Sequence, residues 1–170
     1  LQGKDMMVIG IWNGLVLEDI ISIHKTDGKE LQELLERLKK EYNVPNSRIV
    51  YDSIGVGNYL TGYFKGGIPY NSAKPAMGSK KVYQNLRSQV LYNLSVAISE
   101  NKLYIATSKY KEEIKREMSC LKVAKYDTSA NITIIVKDEM KKIIGNSPNY
   151  LDMMALRMYI EIMPKLNTTT

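Results

Sequence analysis

Two aspartates stand where residue type and spacing could do chemistry. Asp52 closes the apolar run Ile49-Val50-Tyr51 and precedes Ser53-Ile54-Gly55-Val56-Gly57. A carboxylate at the carboxyl end of an internal strand sits at the rim of a sheet, where ligands gather in α/β folds. The glycines behind it let the backbone turn sharply and leave that rim open. Asp152 lies in Ser147-Pro148-Asn149-Tyr150-Leu151-Asp152-Met153-Met154-Ala155-Leu156. A lone acid among apolar neighbours near the start of a helix must be paired, exposed or bound to a cation. Asn149, three residues earlier, shares its face and adds an oxygen. Oxygen ligands of this kind suit Mg²⁺ or Mn²⁺. Two such ions about 4 Å apart orient an attacking water and stabilise the leaving oxygen at a phosphodiester. Two carboxylates are few for two ions, which usually draw on three or more. The plainer readings stay open on spacing alone: an acid that starts a turn, and an acid favoured by a helix dipole.

The scarce residues narrow the chemistry further. A single cysteine, Cys120, excludes an internal disulfide and a Cys-rich zinc site. The single histidine, His24, follows alternating isoleucines and reads as a strand end. Zinc fingers, HNH-type nucleases and Cys-His dyads are therefore excluded, and no nucleophile-elbow motif accompanies His24. Gly55-x-Gly57 is not a dinucleotide loop, because Leu60 takes the place of the third small residue. A net charge of +6 suits a polyanion such as DNA, although the lysines are spread along the chain. With 170 residues, 44% of them hydrophobic, the chain is expected to form one soluble domain with no membrane span.

The elements that must position these acids are readable from periodicity. Strands are expected over residues 6–12 and 15–23, joined at Asn13-Gly14, a strong hairpin signal. A helix over 27–42 is capped by Asp27 and buries Leu31, Leu34, Leu35 and Leu38. A strand over 48–52 ends at Asp52, followed by a short helix over 58–64, an edge strand over 68–70 and a loop over 71–79. A long helix over 80–100 places Val82, Leu86, Val90, Leu94 and Ala97 on one side. A strand over 103–105 and a helix over 110–118 follow, then a hairpin pairing 121–126 with 132–136 and a short helix over 138–144. The last helix starts with Ser147 as N-cap and Pro148 in its first turn and runs to about Met163. The domain is expected to span 1–163, with 164–170 as a tail. The 12 tyrosines read as packing on strand and helix faces rather than as a base-stacking platform.

Taken in order, Gln2-Gly3-Lys4-Asp5 with Val8-Ile9-Gly10-Ile11-Trp12, then Ile49-Val50-Tyr51-Asp52-Ser53-Ile54-Gly55-Val56-Gly57, Asn85-Leu86-Arg87-Ser88-Gln89 and Ser147-Pro148-Asn149-Tyr150-Leu151-Asp152, resemble the C-terminal nuclease domain of phage terminase large subunits. The likeness spans nearly the whole chain. It implies an α/β, RNase H-like fold: a central mixed β-sheet flanked by helices, with an extra β-hairpin. It implies an endonuclease that cuts concatemeric double-stranded viral DNA with two Mg²⁺ or Mn²⁺ ions. Asp52 and Asp152 match the family's second and third catalytic acids. The first belongs on a strand expected just upstream of Leu1, and Asp5 lies close enough to substitute or support it. The family commonly carries Asp or His where Asn149 stands.

The hairpin over 121–136 looks like the family's hairpin beside the active site, which offers Lys122, Lys125 and Lys137 to phosphates. Arg87 is a further candidate for DNA contact or for a structural ion pair. The implied partners are an ATPase domain of the same polypeptide, the portal protein and the small terminase subunit, and the implied setting is the host bacterial cytoplasm, with the gene carried by phage or prophage. No Gly-x-x-x-x-Gly-Lys-Ser/Thr loop occurs in the chain itself. Two other readings are a junction resolvase or transposase-type nuclease on the same fold, and a DNA-binding or docking module without useful activity.

Overall fold

The structure is a computed structural model and describes residues 6–24, 28–54, 57–78, 82–125 and 131–164. The N-terminal hairpin forms as its sequence requires. β1 (Met6–Asn13) and β2 (Val16–His24) pair antiparallel from Met6 opposite His24 to Asn13 opposite Val16, with an irregularity between Ile11 and Trp12. Gly14 takes a φ of 57° in the turn, a conformation that costs a residue without Cβ little. On its other edge β2 pairs parallel with β5 (Tyr104–Ile105), so this sheet runs β1-β2-β5 and is mixed. β3 (Val50–Asp52) pairs parallel with β4 (Ile68–Tyr70) in a second, two-stranded sheet. A short hairpin of β6 (Val123–Lys125) and β7 (Thr133–Ile134) is the third.

Six helices cover these strands among the described residues: α1 (Gly28–Glu41), α2 (Gly57–Tyr63), α3 (Leu86–Ser99), α4 (Lys111–Met118), α5 (Lys137–Ile144) and α6 (Asn149–Ile162). α3 buries Leu86, Val90, Leu94 and Ala97, and α6 buries Leu151, Met154, Ala155 and Met158. Both sets recur at helical spacing, so the two helices pack on each other by apolar stripes that join Leu17 and Ile20 of β2 in the main core. Burying one such side chain contributes about 1.5–3 kcal/mol. A second, smaller cluster of Leu31, Tyr51, Leu60 and Phe64 joins α1 and α2 to β3.

The expected mixed sheet flanked by helices is present as β1-β2-β5, with β3-β4 beside it as a separate pair among the described residues. α6 packs against both β1 and β3, yet these two strands share no ladder. Between them lies a cavity of about 1110 Å³, bounded by β1, by residues 49–52 and by Leu31, Leu60, Met153 and Ile160. Among the described residues, each flanking strand is therefore unpaired on the side that faces the cavity. Arg157 of α6 reaches along it: its Nε donates to Gly14 O at 2.8 Å and its Nη2 lies 2.6 Å from Glu161, while its Nη1 is buried without a partner among the described residues.

Several boundaries differ from the sequence expectation. α3 begins at Leu86, not near residue 80, because Asn85 caps it by accepting from Ser88 N–H at 2.8 Å. Val82, expected on the buried side, is exposed, and Tyr83 instead makes a bridge to Ile132. α6 begins at Asn149, and Ser147 does not cap it: Pro148 holds the N-cap position and no cap side chain accepts from the first turn. Asp152 thus stands in the first turn. The proposed Asp27 cap and Asp5 lie outside the described residues. Among the described residues no helix is long and apolar enough to cross a membrane.

Gly10 of β1 faces α6 closely. A Cβ there would collide with Met153 Sδ and come within 2.6 Å of Trp12 Nε1. Gly10→Val is expected to destabilise the fold by about 1–3 kcal/mol through overpacking, read as a lower urea midpoint. An unchanged midpoint would mean that Met153 moves aside freely.

Candidate metal centre

Asp52 is placed by the local chemistry of the end of β3. Ser53 donates both its N–H and its Oγ–H to Tyr70 O, each at 2.8 Å, which pins the strand end to β4. Asp52 Oδ1 accepts from Ile54 N–H at 2.9 Å, so the carboxylate shapes the turn that follows it. Asp152 arrives from the opposite direction, on the first turn of α6, with its N–H donated to Pro148 O at 2.9 Å. Both carboxylates line one small cleft of about 120 Å³, together with Tyr70, Ser72, Arg87 and Lys137. The same two acids, with Asn149 and Lys137, also edge the large cavity between β1 and β3.

The electrostatics agree with this convergence. Although Asp52 is exposed overall, partial desolvation at the cleft pushes its carboxyl up; the Ile54 amide opposes that, the nearby Asp152 carboxylate adds to it, and Lys137 draws it back. Burial likewise raises the Tyr70 phenol, with Arg87 opposing and Asp152 and Asp52 contributing. Lys137, the first residue of α5, forms an ion pair and hydrogen bond with Asp152 Oδ2. Its ammonium acts on both acids.

The DNA-contact candidates separate in space. Lys137 belongs to the site, as the partner of Asp152. Arg87 lines the cleft but is largely committed elsewhere: Nη1 donates to Ile135 O at 2.8 Å and Nη2 lies 3.3 Å from Met140 Sδ. It ties α3 to the segment after β7, and burial lowers its pKa against the opposing pull of Asp152 and then Tyr70. Lys122 is exposed on the hairpin and lines neither cavity. The side chain of Lys125 lies outside the described residues. His24 is exposed at the end of β2.

Three contributors escaped the sequence reading in these roles: Lys137 as ion-pair partner, Tyr70 as the cleft wall, and Glu117 of α4. Glu117 is only 1% exposed and its Oε2 accepts from Leu151 N–H at 2.8 Å. A signal for it exists. Glu117 sits three residues after buried Ile114 and three before buried Cys120, an acid on the apolar face of its helix.

Among the described residues no group of three or more His, Cys, Asp or Glu side chains is placed to hold a metal ion. The donors present still suit a hard divalent cation: two converging carboxylates, a neighbouring amide oxygen from Asn149, and a lysine ammonium already bound to one acid.

No family model and no curated protein matches the chain. Solved structures do. The nuclease domain of the large terminase subunit gp2 of bacterial virus Sf6 superposes with a TM-score of 0.67 at 18% identity, covering 90% of this chain and 86% of that one. A mutant of that domain with manganese and beta-thujaplicinol gives 0.66 at 17% identity, with the same coverage. A mutant gp2c of the large terminase subunit from bacteriophage Sf6 with calcium gives 0.65 at 20% identity, covering 85% of this chain and 78% of that one. At these identities the likeness establishes the fold: the chain has the mixed α/β fold of these nuclease domains.

Proposed function

We propose that this chain is the nuclease domain of a phage DNA-packaging terminase large subunit, an endonuclease that cuts concatemeric double-stranded DNA by two-metal phosphodiester hydrolysis. The observation that carries the reading is the meeting of Asp52, from the end of β3, with Asp152, from the first turn of α6, across one cleft that also holds Lys137. The fold shared with terminase nuclease domains and the +6 charge support it. Asp52 and Asp152 would hold divalent ions, with Asn149 as an additional oxygen and Asp5 as a further candidate. Bound there, Mg²⁺ or Mn²⁺ supplies Lewis acidity toward the phosphate and activates water near neutral pH. The protein's own part is to fix the two carboxylates on rigid elements and to keep Arg87 beside them. Lys137, once displaced from Asp152, offers its ammonium to a phosphate oxygen, and Lys122 and Lys125 extend that basic surface along the hairpin.

A two-ion site needs a further acid, and the cavity between β1 and β3 suggests where it enters. Both edges are unpaired among the described residues, and the cavity reaches Asp52 and Asp152. An extended strand paired with both edges would join the two sheets and bring a carboxylate to the same rim. Asp5, which lies outside the described residues, is the candidate for that acid, within a domain that runs to about Met163. An ATPase domain of the same polypeptide, the portal protein and the small terminase subunit are the proposed partners, in the host bacterial cytoplasm.

The test is Mn²⁺-dependent nicking of supercoiled plasmid by the protein. Cutting of linear and plasmid DNA is expected; activity confined to branched DNA would favour a junction resolvase, and no activity with no Mn²⁺ binding would favour a docking module. The metal must also compete with Lys137. Removing an opposing cation favours the ionised acid's next partner, so Lys137→Met is expected to tighten Mn²⁺ binding by roughly 3–10-fold in calorimetric titration. Unchanged or weaker binding would place the ion away from Asp152.

A further inference from the structure

We propose that Glu117 is a positioning residue for this centre: from α4, its buried carboxylate holds the first turn of α6 and so sets where Asp152 stands. The functional half of this inference rests on the metal-site reading above; the structural half does not. Any helix start leaves its first amides without intrahelical partners. In α6, Asn149 N–H donates to Ser147 O at 2.9 Å and Asp152 N–H to Pro148 O at 2.9 Å. Between them, Leu151 N–H donates to Glu117 Oε2 at 2.8 Å, and Tyr150 N–H also acts on the same carboxylate. Pro148, at the N-cap position, supplies no side-chain acceptor. An acid from another helix therefore takes the role that Ser, Thr, Asp or Asn has at an ordinary N-cap, and its charge complements the positive end of α6.

The residue before it extends the same clamp. Arg116 Nη2 donates to Ile144 O at 2.8 Å and to Asn146 Oδ1 at 2.6 Å, holding the loop between α5 and α6. α5 starts with Lys137 and the first turn of α6 carries Asp152. Two adjacent residues of α4 thus brace the loop and the helix start between the two partners of the ion pair. Glu117 lines neither the cleft nor the large cavity and acts through the Leu151 amide.

The experiment compares Glu117→Gln, which keeps an acceptor oxygen, with Glu117→Met, which removes it, and Glu117→Asp, which keeps the charge on a shorter reach. Three quantities are read: amide hydrogen exchange at Tyr150 and Leu151, the NMR shift of the Asp152 carboxyl carbon, and Mn²⁺ affinity. The Gln variant is expected to exchange Leu151 no faster than about twofold the parent rate and to bind Mn²⁺ within about twofold, with the Asp152 resonance in place. The Met variant is expected to raise Leu151 exchange at least about tenfold, shift the Asp152 resonance and weaken Mn²⁺ about 10–100-fold, the usual effect of removing a residue that orients a ligand. If Glu117→Met prevents folding, the Asp variant is expected to show the same changes to a smaller degree. Unchanged Leu151 exchange, an unmoved Asp152 resonance, or a Gln variant as impaired as the Met or Asp variant overturns the inference. If the parent protein binds no Mn²⁺, the exchange and the Asp152 resonance still decide the positioning role, and the metal reading fails separately.

Discussion

Asp52→Asn and Asp152→Asn are each expected to abolish Mn²⁺-dependent plasmid nicking by the protein. Each substitution keeps the side chain's shape and one oxygen but removes the charge that a hard cation requires. Removing a residue that merely orients a ligand typically costs about 10–100-fold, so losing a ligand itself is expected to cost at least on the order of a hundredfold. The folds should survive. Asp52 is exposed at a strand end, and Asp152 is only half-buried with its backbone N–H bonded to Pro148 O. Circular dichroism and melting of both variants should match the parent. Full cutting by either variant would remove that acid from the mechanism.

The second large effect concerns stability against pH. Burial pushes the Glu117 carboxyl from its ordinary value near 4.5 up to about 7, against the Leu151 and Tyr150 amides that favour its charge, with Asp152 adding to the rise and Arg116 opposing it. The folded protein therefore binds this proton more tightly than the unfolded chain does. The resulting contribution is fully present below about pH 4.5 and is lost as pH rises through about 7. Its size is on the order of 3 kcal/mol. Glu117→Gln cannot titrate and still accepts from Leu151, so it should gain on the parent by that amount between about pH 4 and pH 8 in urea unfolding. Because every other carboxylate is common to both proteins, the difference isolates Glu117. Parallel stability curves would show that the carboxyl titrates alike in the folded and unfolded chain.

Much of the framework was legible because local rules and the fold agree. Asn13-Gly14 demanded a turn, and the apolar spacing of Leu151, Met154, Ala155 and Met158 demanded a buried helix face. Asp52 was legible as an acid that ends a strand before glycines, and Asp152 as an acid among methionines and leucines. The misses have a common cause: each was decided by interactions that the apolar pattern does not encode. The apolar pattern of α3 continues back to Val82, but the Asn85 cap stops the helix short of it. Ser147-Pro148 has the composition of a helix start, yet the acceptor comes from Glu117, 34 residues before Leu151. Lys137 looked like a phosphate contact because the sequence carried no information on its pairing with Asp152, 15 residues away. Likewise, nothing in the β1 sequence distinguishes an edge paired with a neighbour from one that faces a cavity.

The shared cation is most directly tested by anomalous scattering from a crystal soaked in Mn²⁺. A peak at the cleft lined by Asp52 and Asp152, with Lys137 displaced from Asp152, is the predicted result. A fully occupied Mn²⁺ site elsewhere, with Lys137 still paired to Asp152 and no peak between the two acids, would contradict it.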